Sequence, residues 1–271
     1  MKTIMEKKIG MVGFGHLGSS IAGALIKGGL DKLNLFVSYG GNKETGRKIS
    51  AMGLKSCITD TENLMKNSDI IILAARPQNI GAFAQNHVKK DALVISFMAA
   101  LPLTILNSYF DCSVSRAMCS GPETISGGRG ICTLLPADRN TRALLELCNI
   151  RQFHIKGEEE IDAFTAGICI PPILMNINIE RRERIRALNN MALQYPVFKQ
   201  LTAWIEDEIE FSSSSESKSS LKNISTKGGI SEAMVSSLIN GSSFIFAVER
   251  GIERCVEIKS TICKNLAVNA A

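Results

Sequence analysis

The residues whose types and spacing could do chemistry lie mainly in one short stretch. Gly13, Gly15 and Gly18 stand in G-x-G-x-x-G order within "KKIGMVGFGHLGSSIAGALIKGGL", after an apolar run and at the mouth of a helical pattern. In that setting the first glycine permits a tight turn. The second lets the backbone approach a pyrophosphate, and the third lets helix and strand pack closely. With Phe14, His16 and Leu17 between and beside them, these glycines form a loop whose N–H groups, with the following helix N-terminus, suit the phosphates of a dinucleotide. His16 is placed for a phosphate or for solvent rather than for acid catalysis. The bland alternative is a glycine-rich turn that binds nothing.

The nucleotide is read from the next strand. An NAD site places an acid at the end of its second strand to hold the ribose 2′-hydroxyl. Here "LNLFV" runs into Ser38, Tyr39, Gly40, Gly41 and Asn42, with Lys43 and Arg47 following. Ser38 could donate to a 2′-phosphate and Lys43 or Arg47 could supply charge, so NADPH is expected ahead of NADH.

Positioning such a loop takes a sheet. From Ile9 to about Ile155 short apolar runs, "IGMV", "LNLFVS", "IIILAA", "ALVISF" and "VSRAM", alternate with helical or loop segments. Alternation of this kind predicts βαβ units and a parallel sheet covered on both faces. After "KGEEEID" the strand-like runs give way to helical spacing, as in "NNMALQYPVFKQLTAWIEDEIEF". The expected architecture is α/β: a Rossmann-type doubly wound parallel sheet over residues 1–157, then an all-helical dimerisation and substrate domain over residues 158–271. The polar stretch "SSSSESKSS" (212–220) reads as an exposed loop. Glu158 to Glu160 read as an acidic helix start, and Trp204, with Leu201 and Ile205, as core or dimer interface.

Composition removes other classes. At 45% hydrophobic and 21% charged residues the chain can bury sizeable cores. The longest uncharged run, 163–179, contains Pro171, Pro172, Asn176 and Asn178, a poor membrane span, and the N-terminal residues lack the apolar stretch of a secretory signal. A cytoplasmic protein is expected. A net charge of +5, and the alternating signs of "ERRERIR" (180–186), argue against nucleic acid. The eight cysteines show no C-x-x-C pair and no histidines at zinc-finger spacing, so no metal site is expected. Cys119 has no histidine placed to activate it and reads as a small buried residue; His87 and His154 carry no assigned role.

Beyond the glycine loop, the chain resembles the pyrroline-5-carboxylate reductases along nearly its whole length. "DIIILAARPQNI" is similar to that family's "A-V-K-P-Q" segment, with Ala74 at the alanine, Arg76 in the lysine's place and Pro77 retained. "LVISFMAALPL" resembles "V-S-I-A-A-G-V-T-L", and "SRAMCSGPETISGG" resembles "R-A-M-P-N-T-P-A-x-V", with Arg116, Ala117, Met118 and Pro122 matching. "EEEIDAFTA" is similar to "E-x-x-x-D-A-V-T-A", and "LKNISTKGGISEA" to "L-K-D-x-V-x-S-P-G-G-T-T-x-x-A". The resemblance implies a Rossmann domain followed by a helical domain through which two chains interlock, as a homodimer or larger homo-oligomer, with the active site completed across the dimer. It implies reduction of the cyclic imine 1-pyrroline-5-carboxylate to L-proline with NADPH or NADH. Ala74, Arg76 and Pro77 then join Gly13, Phe14, Gly15, His16, Leu17, Gly18, Ser38 and Lys43 at the cofactor. Gly228, Gly229, Ile230 and Ser231 form the substrate cradle, with Ser231, in the place of the second threonine, at the imine nitrogen or carboxylate. Ser231 also reads as a helix N-cap, and both roles can hold.

The family's "S-G-S-G-P-A-Y" corresponds to Ile168, Cys169, Ile170, Pro171, Pro172, Ile173 and Leu174; its "A-A-G" to Met98, Ala99 and Ala100; its "M-P-N-T-P" to Met118, Cys119, Ser120, Gly121 and Pro122. Lys227 replaces the proline before the paired glycines. These departures cluster where substrate and nicotinamide should meet, while the phosphate glycines are intact. Two alternatives follow: a paralogue of competence-associated type that binds dinucleotide without making proline, or a reductase of another, more apolar cyclic imine accommodated by Ile168, Ile170 and Ile230.

Overall fold

The computed structural model describes residues 3–213 and 228–270. The chain divides into two units, Met1–Gln152 with Ile262–Ala271, and Phe153–Thr261.

The first unit is built on a sheet of seven strands: β1 (Ile9–Val12), β2 (Leu35–Ser38), β3 (Ile70–Leu73), β4 (Leu93–Ser96), β5 (Ser113–Cys119), β6 (Ile131–Leu135) and β7 (Arg151–Gln152). Their order is β2-β1-β3-β4-β5-β6-β7. Every residue of β1, β3 and β4 is buried, which is why these strands read as unbroken apolar runs rather than alternating ones. Ile9, Met11, Ile70, Ile72, Leu93 and Ile95 belong to one core cluster, together with Ile21 and Leu25 of the first helix, α1 (His16–Lys27).

The sheet begins with β1, which pairs with β2 on one side and with β3 on the other, so the strand order reverses at β1. In open α/β sheets ligands bind outside the carboxyl ends of the strands at such a switch point. Gly13 and Ala74 follow β1 and β3 directly, and Ser38 is the last residue of β2.

One strand pair departs from the parallel expectation: β6 runs antiparallel to β5. The connection between them, residues 120–130, holds only the short helix Pro122–Ser126 and a glycine turn with Gly128 at φ +72°. That is short for a parallel crossover, which takes a dozen or more residues. The apolar run "ICTLL" that forms β6, bounded by "GGRG", was legible as a strand but was not among the runs read from the sequence.

The second unit is helical. It contains α8 (Glu159–Ile168), α9 (Ile170–Leu174), α10 (Arg181–Gln194), α11 (Phe198–Ser213), the helix Ile230–Ile239 and most of the C-terminal helix Phe244–Ala270; the shorter helices α2 (Lys43–Ala51) to α7 (Arg139–Leu147) belong to the first. Phe164, Leu188, Phe198, Leu201, Ile205, Met234, Phe244 and Val248 are buried. Trp204 is 4% exposed, so of its two expected settings the core of this unit is the one it occupies within the chain. Ser212 and Ser213 finish α11 instead of opening a loop; the rest of "SSSSESKSS" lies outside the described residues.

Candidate functional site

The glycine loop is fixed by two kinds of crowding. Gly13 has φ +92°, a left-handed conformation that side chains resist, and a Cβ there would stand 2.7 Å from the Ala74 carbonyl oxygen. Its N–H donates to the Ser38 carbonyl at 2.9 Å, while the Ala74 N–H donates to Val12 at 2.8 Å. The loop is thereby pinned to the strands on either side. A Cβ on Gly18 would lie 2.2 Å from the Gly13 carbonyl oxygen, so this glycine is needed for helix α1 to pack on the turn. Gly15 differs from both. Its φ of −70° suits any residue, and no atom lies within 4 Å of a Cβ placed on it. Nothing in the protein itself requires glycine at that position, whereas a ligand passing close to the backbone does.

Gly15 is the N-cap of α1, and no side chain caps it. The first-turn N–H groups of an α-helix have no partner within it, and the helix dipole adds a partial positive charge. His16 is exposed, with its carbonyl accepting from the Ser19 and Ser20 hydroxyls at 3.0 Å each, and Leu17 is partly buried. Phe14 faces the other way: its side chain is 1% exposed and packs in the core, which leaves only its backbone to the loop's outer face.

At the end of β2 the Ser38 side chain is buried, and its hydroxyl shares a 2.6 Å hydrogen bond with the Thr61 hydroxyl. Thr61 opens the helix Thr61–Asn67 and was not singled out in the sequence. Lys43 begins α2, with Asn42 as its N-cap accepting from Glu44 and Thr45. Lys43 and Arg47 occupy one face of α2 and, with Tyr39, Gly46, Ser50, Lys55 and Ile58, line a surface cavity of about 760 Å³. Lys55 thus adds a third cation; its place in the single turn Lys55–Cys57 gave no sequence signal. Among the described residues no carboxylate pairs with Lys43, Arg47 or Lys55. Arg76 is exposed, and Pro77 starts a single 3-10 turn after β3.

In the second unit Gly228 takes φ +73°, and Gly229, not Ser231, is the N-cap of the helix Ile230–Ile239. Ser231 sits inside the first turn, and no side chain caps the helix. The Gly228 N–H is already engaged, donating to Glu232 Oε2 at 2.6 Å, so any anion held here meets the N–H groups that follow it. The Ser231 hydroxyl reaches the Cys169 thiol. That thiol also donates to the Thr165 carbonyl at 3.3 Å, and burial pushes its pKa up. Leu221 to Lys227, the first half of the segment that ends in the paired glycines, lies outside the described residues.

The bulky residues in place of the family's small run are absorbed internally. Helix α8 stops at Ile168 and α9 begins at Ile170, with Pro171 in its first turn, where a missing N–H costs nothing. Ile170 and Ile173 are 0% exposed. Ile170 is therefore core and does not line a ligand space, while Ile168 and Ile230 remain partly exposed. Two acids after Lys156 also have structural partners. Glu160, 4% exposed, accepts from the Lys156 and Val197 N–H groups at 2.9 Å each, tying the start of α8 to the start of α11; Asp162 pairs with Lys259 of the C-terminal helix. Of the three acids Glu158 to Glu160, only Glu159 is exposed at the helix start.

Cys119 is 7% exposed and its pKa is pushed up to about 12, first by burial and then by neighbouring Cys148, so thiolate chemistry there is excluded. Among the described residues no cluster of His, Cys, Asp and Glu could hold a metal ion, and no helix is long and apolar enough to cross a membrane.

Residues 8–100 match the family model described as NADP oxidoreductase, coenzyme F420-dependent. Among solved structures, a pyrroline-5-carboxylate reductase from Coxiella burnetii superposes with a TM-score of 0.57, at 18% identity, over 93% of this chain and 98% of that one. The pyrroline carboxylate reductase of Plasmodium falciparum, solved with NADP bound, gives 0.57 at 19% identity over 96% and 99%. The fold is that of the pyrroline-5-carboxylate reductases. It also extends further: glycerol-3-phosphate dehydrogenase from Coxiella burnetii superposes at 0.56, with 11% identity, over 98% of this chain and 90% of that one. No curated protein sequence matches the chain.

Proposed function

We propose that the chain is an NADPH-dependent reductase that converts the cyclic imine 1-pyrroline-5-carboxylate to L-proline. The observation that carries the reading is the order of family-like segments along both units, supported by superposition of 93% and 96% of the chain on two pyrroline carboxylate reductases, one of them solved with NADP. Segment by segment the sequence resembles the same family, in the same order.

The residues present fit the nucleotide. Gly15 offers bare backbone at an uncapped helix N-terminus, the arrangement that receives a pyrophosphate. Ser38 with Thr61, and Lys43, Arg47 and Lys55, which pair with no carboxylate among the described residues, would supply donors and charge to a 2′-phosphate, and the described lining of their cavity contains no acid to favour a free 2′-hydroxyl. Ala74, Arg76 and Pro77 follow β3 on the other side of the loop. When bound, NADPH supplies the hydride that goes to the C=N carbon.

The chain's own contribution is positioning. The N–H groups from Gly229 to Ser231 and the positive end of their helix hold the substrate carboxylate. The Ser231 hydroxyl turns from Cys169 to hydrogen-bond the substrate, whose ring nitrogen carries a proton taken from solvent. Little else is asked of the protein, because fixing the two reactants supplies most of the barrier reduction.

Exposed Leu193, Ile239 and Phe246, at 84%, 72% and 65%, all belong to the helical unit and support a second copy of the chain as the partner that covers them. A cytoplasmic location accords with this chemistry. The reading is tested by titrating NADPH and NADH into the triple variant Lys43→Ala, Arg47→Ala, Lys55→Ala. The expected result is NADPH weakened by about tenfold or more with NADH unchanged; equal losses for both nucleotides would contradict the assignment of the cations.

A further inference from the structure

The turn that leads into the helix Ile230–Ile239 is held from both sides. Gly228 donates its N–H to Glu232 Oε2 at 2.6 Å, one turn ahead in the same helix. Its carbonyl oxygen accepts twice from a single guanidinium, Arg254 Nε at 2.9 Å and Nη2 at 2.7 Å. Arg254 lies on the C-terminal helix, three residues after Gly251, whose bare α-carbon packs against the Met234 side chain. The same helix face therefore meets the Ile230–Ile239 helix through Met234 and the turn before it through Gly228. The remaining arm of the guanidinium, Nη1, donates to Glu257 Oε2 at 2.6 Å, and Glu257 also accepts from Arg250 at 2.7 Å. Arg254 is thereby neutralised and itself oriented, so its effect on the turn is geometric rather than a free positive charge.

The consequence follows from the planarity of the peptide bond. The Gly228 carbonyl and the Gly229 N–H belong to one rigid trans unit and point in opposite directions. Two donors on the Gly228 oxygen fix that plane, and the Gly229 N–H is then directed away from Arg254. Glycine at φ +73° has a broad choice of conformations and would not hold this plane unaided.

We propose that Arg254, assisted by Glu232, is a positioning residue that locks the Gly228–Gly229 peptide so that the N–H groups of Gly229, Ile230 and Ser231 converge on the substrate carboxylate. The proposal rests on the reading of these residues as the substrate cradle. Neither Arg254 nor Glu232 touches the reacting atoms.

Two readouts on the full-length protein separate the parts of this claim. Amide hydrogen exchange at Gly228, whose N–H donates to Glu232, and at Ala233, whose N–H donates to the Gly229 carbonyl, reports the lock itself, whatever the protein reduces. In Arg254→Met these amides exchange about tenfold faster or more, and Arg254→Lys, which keeps one charged donor, recovers part of the protection. Steady-state kinetics with 1-pyrroline-5-carboxylate report the use of the lock: Arg254→Met raises KM about tenfold with kcat changed much less and NADPH affinity unaltered, and Arg254→Lys falls between. Glu232→Gln, which keeps an acceptor for the Gly228 N–H, stays close to wild type, while Glu232→Ala shifts exchange and KM in the same sense as Arg254→Met. Unchanged exchange in Arg254→Met overturns the lock. Faster exchange with an unchanged KM overturns the role in substrate binding. Absence of turnover in the wild-type protein refutes the substrate assignment and with it the cradle, leaving the exchange result to stand or fall by itself.

Discussion

Gly15 and Gly18 look alike in the sequence but answer to different constraints. Gly18 is glycine because the fold leaves no room: its Cβ would meet the Gly13 carbonyl at 2.2 Å, so Gly18→Ala is expected to destabilise the protein by about 2 kcal/mol, read from denaturant unfolding. Gly15 is glycine with open space around it, so Gly15→Ala should change stability by less than about 1 kcal/mol, as for an N-cap exchange, yet weaken NADPH binding by about tenfold. Loss of stability with intact binding in Gly15→Ala would mean that the residue serves the fold and not a ligand. Ala100 makes the converse case. It sits at φ +61° where the resembling family pattern has glycine, a conformation that costs an ordinary residue about 1–2 kcal/mol. Ala100→Gly should therefore stabilise the protein, the relief of strain offset partly by the freer unfolded chain, for a net gain of up to about 1 kcal/mol seen as a higher melting temperature. The buried thiols Cys119 and Cys148, both held at a pKa of about 12, should resist alkylation at pH 8 in the folded protein and react fully once it is unfolded.

At the scale of elements, the sequence disclosed what periodicity and burial impose and hid what tertiary partners decide. Strands β1, β3 and β4 were legible because burial on both faces makes them almost wholly apolar, and β2, LFVS, is nearly so. The glycine loop was legible because left-handed backbone at Gly13 and close packing at Gly18 admit few other residue types. By contrast, Ser38 and Thr61 are far apart in the chain, and nothing local says that their hydroxyls meet. Glu160 reads as one of three acids at a helix start, and only the approach of α11 makes it a buried acceptor for the Val197 N–H. The same holds for the helix of the substrate cradle: "GGISEA" signals a helix start, but Ser231 lies two positions past the N-cap, because Gly229 takes the extended conformation and Glu232 reaches back to Gly228. The bulky run from Ile168 to Leu174 looked like a threat to the site; the break between α8 and α9 turns Ile170 and Ile173 inward instead. On the proposed function, Ser231→Ala should cut turnover with NADPH affinity little changed, and an unaltered rate would remove Ser231 from the mechanism.

For the molecule as a whole, the fold narrows the chemistry without choosing the substrate, since a glycerol-3-phosphate dehydrogenase shares it at nearly the same TM-score as the imine reductases. What favours the imine is the order of family-like segments along both units. The exposed apolar side chains of the helical unit give a further test at this scale: Phe246→Asp should shift a dimeric or larger assembly toward monomer in sedimentation, and an unchanged distribution would place the interface elsewhere. The central claim is decided most directly by adding 1-pyrroline-5-carboxylate to the purified protein with NADPH and following nucleotide oxidation and product together. The account predicts steady oxidation of NADPH with one L-proline formed for each NADPH consumed. Folded protein that binds NADPH and consumes none on addition of the imine would contradict it, and would leave the dinucleotide site serving a different substrate or no turnover at all.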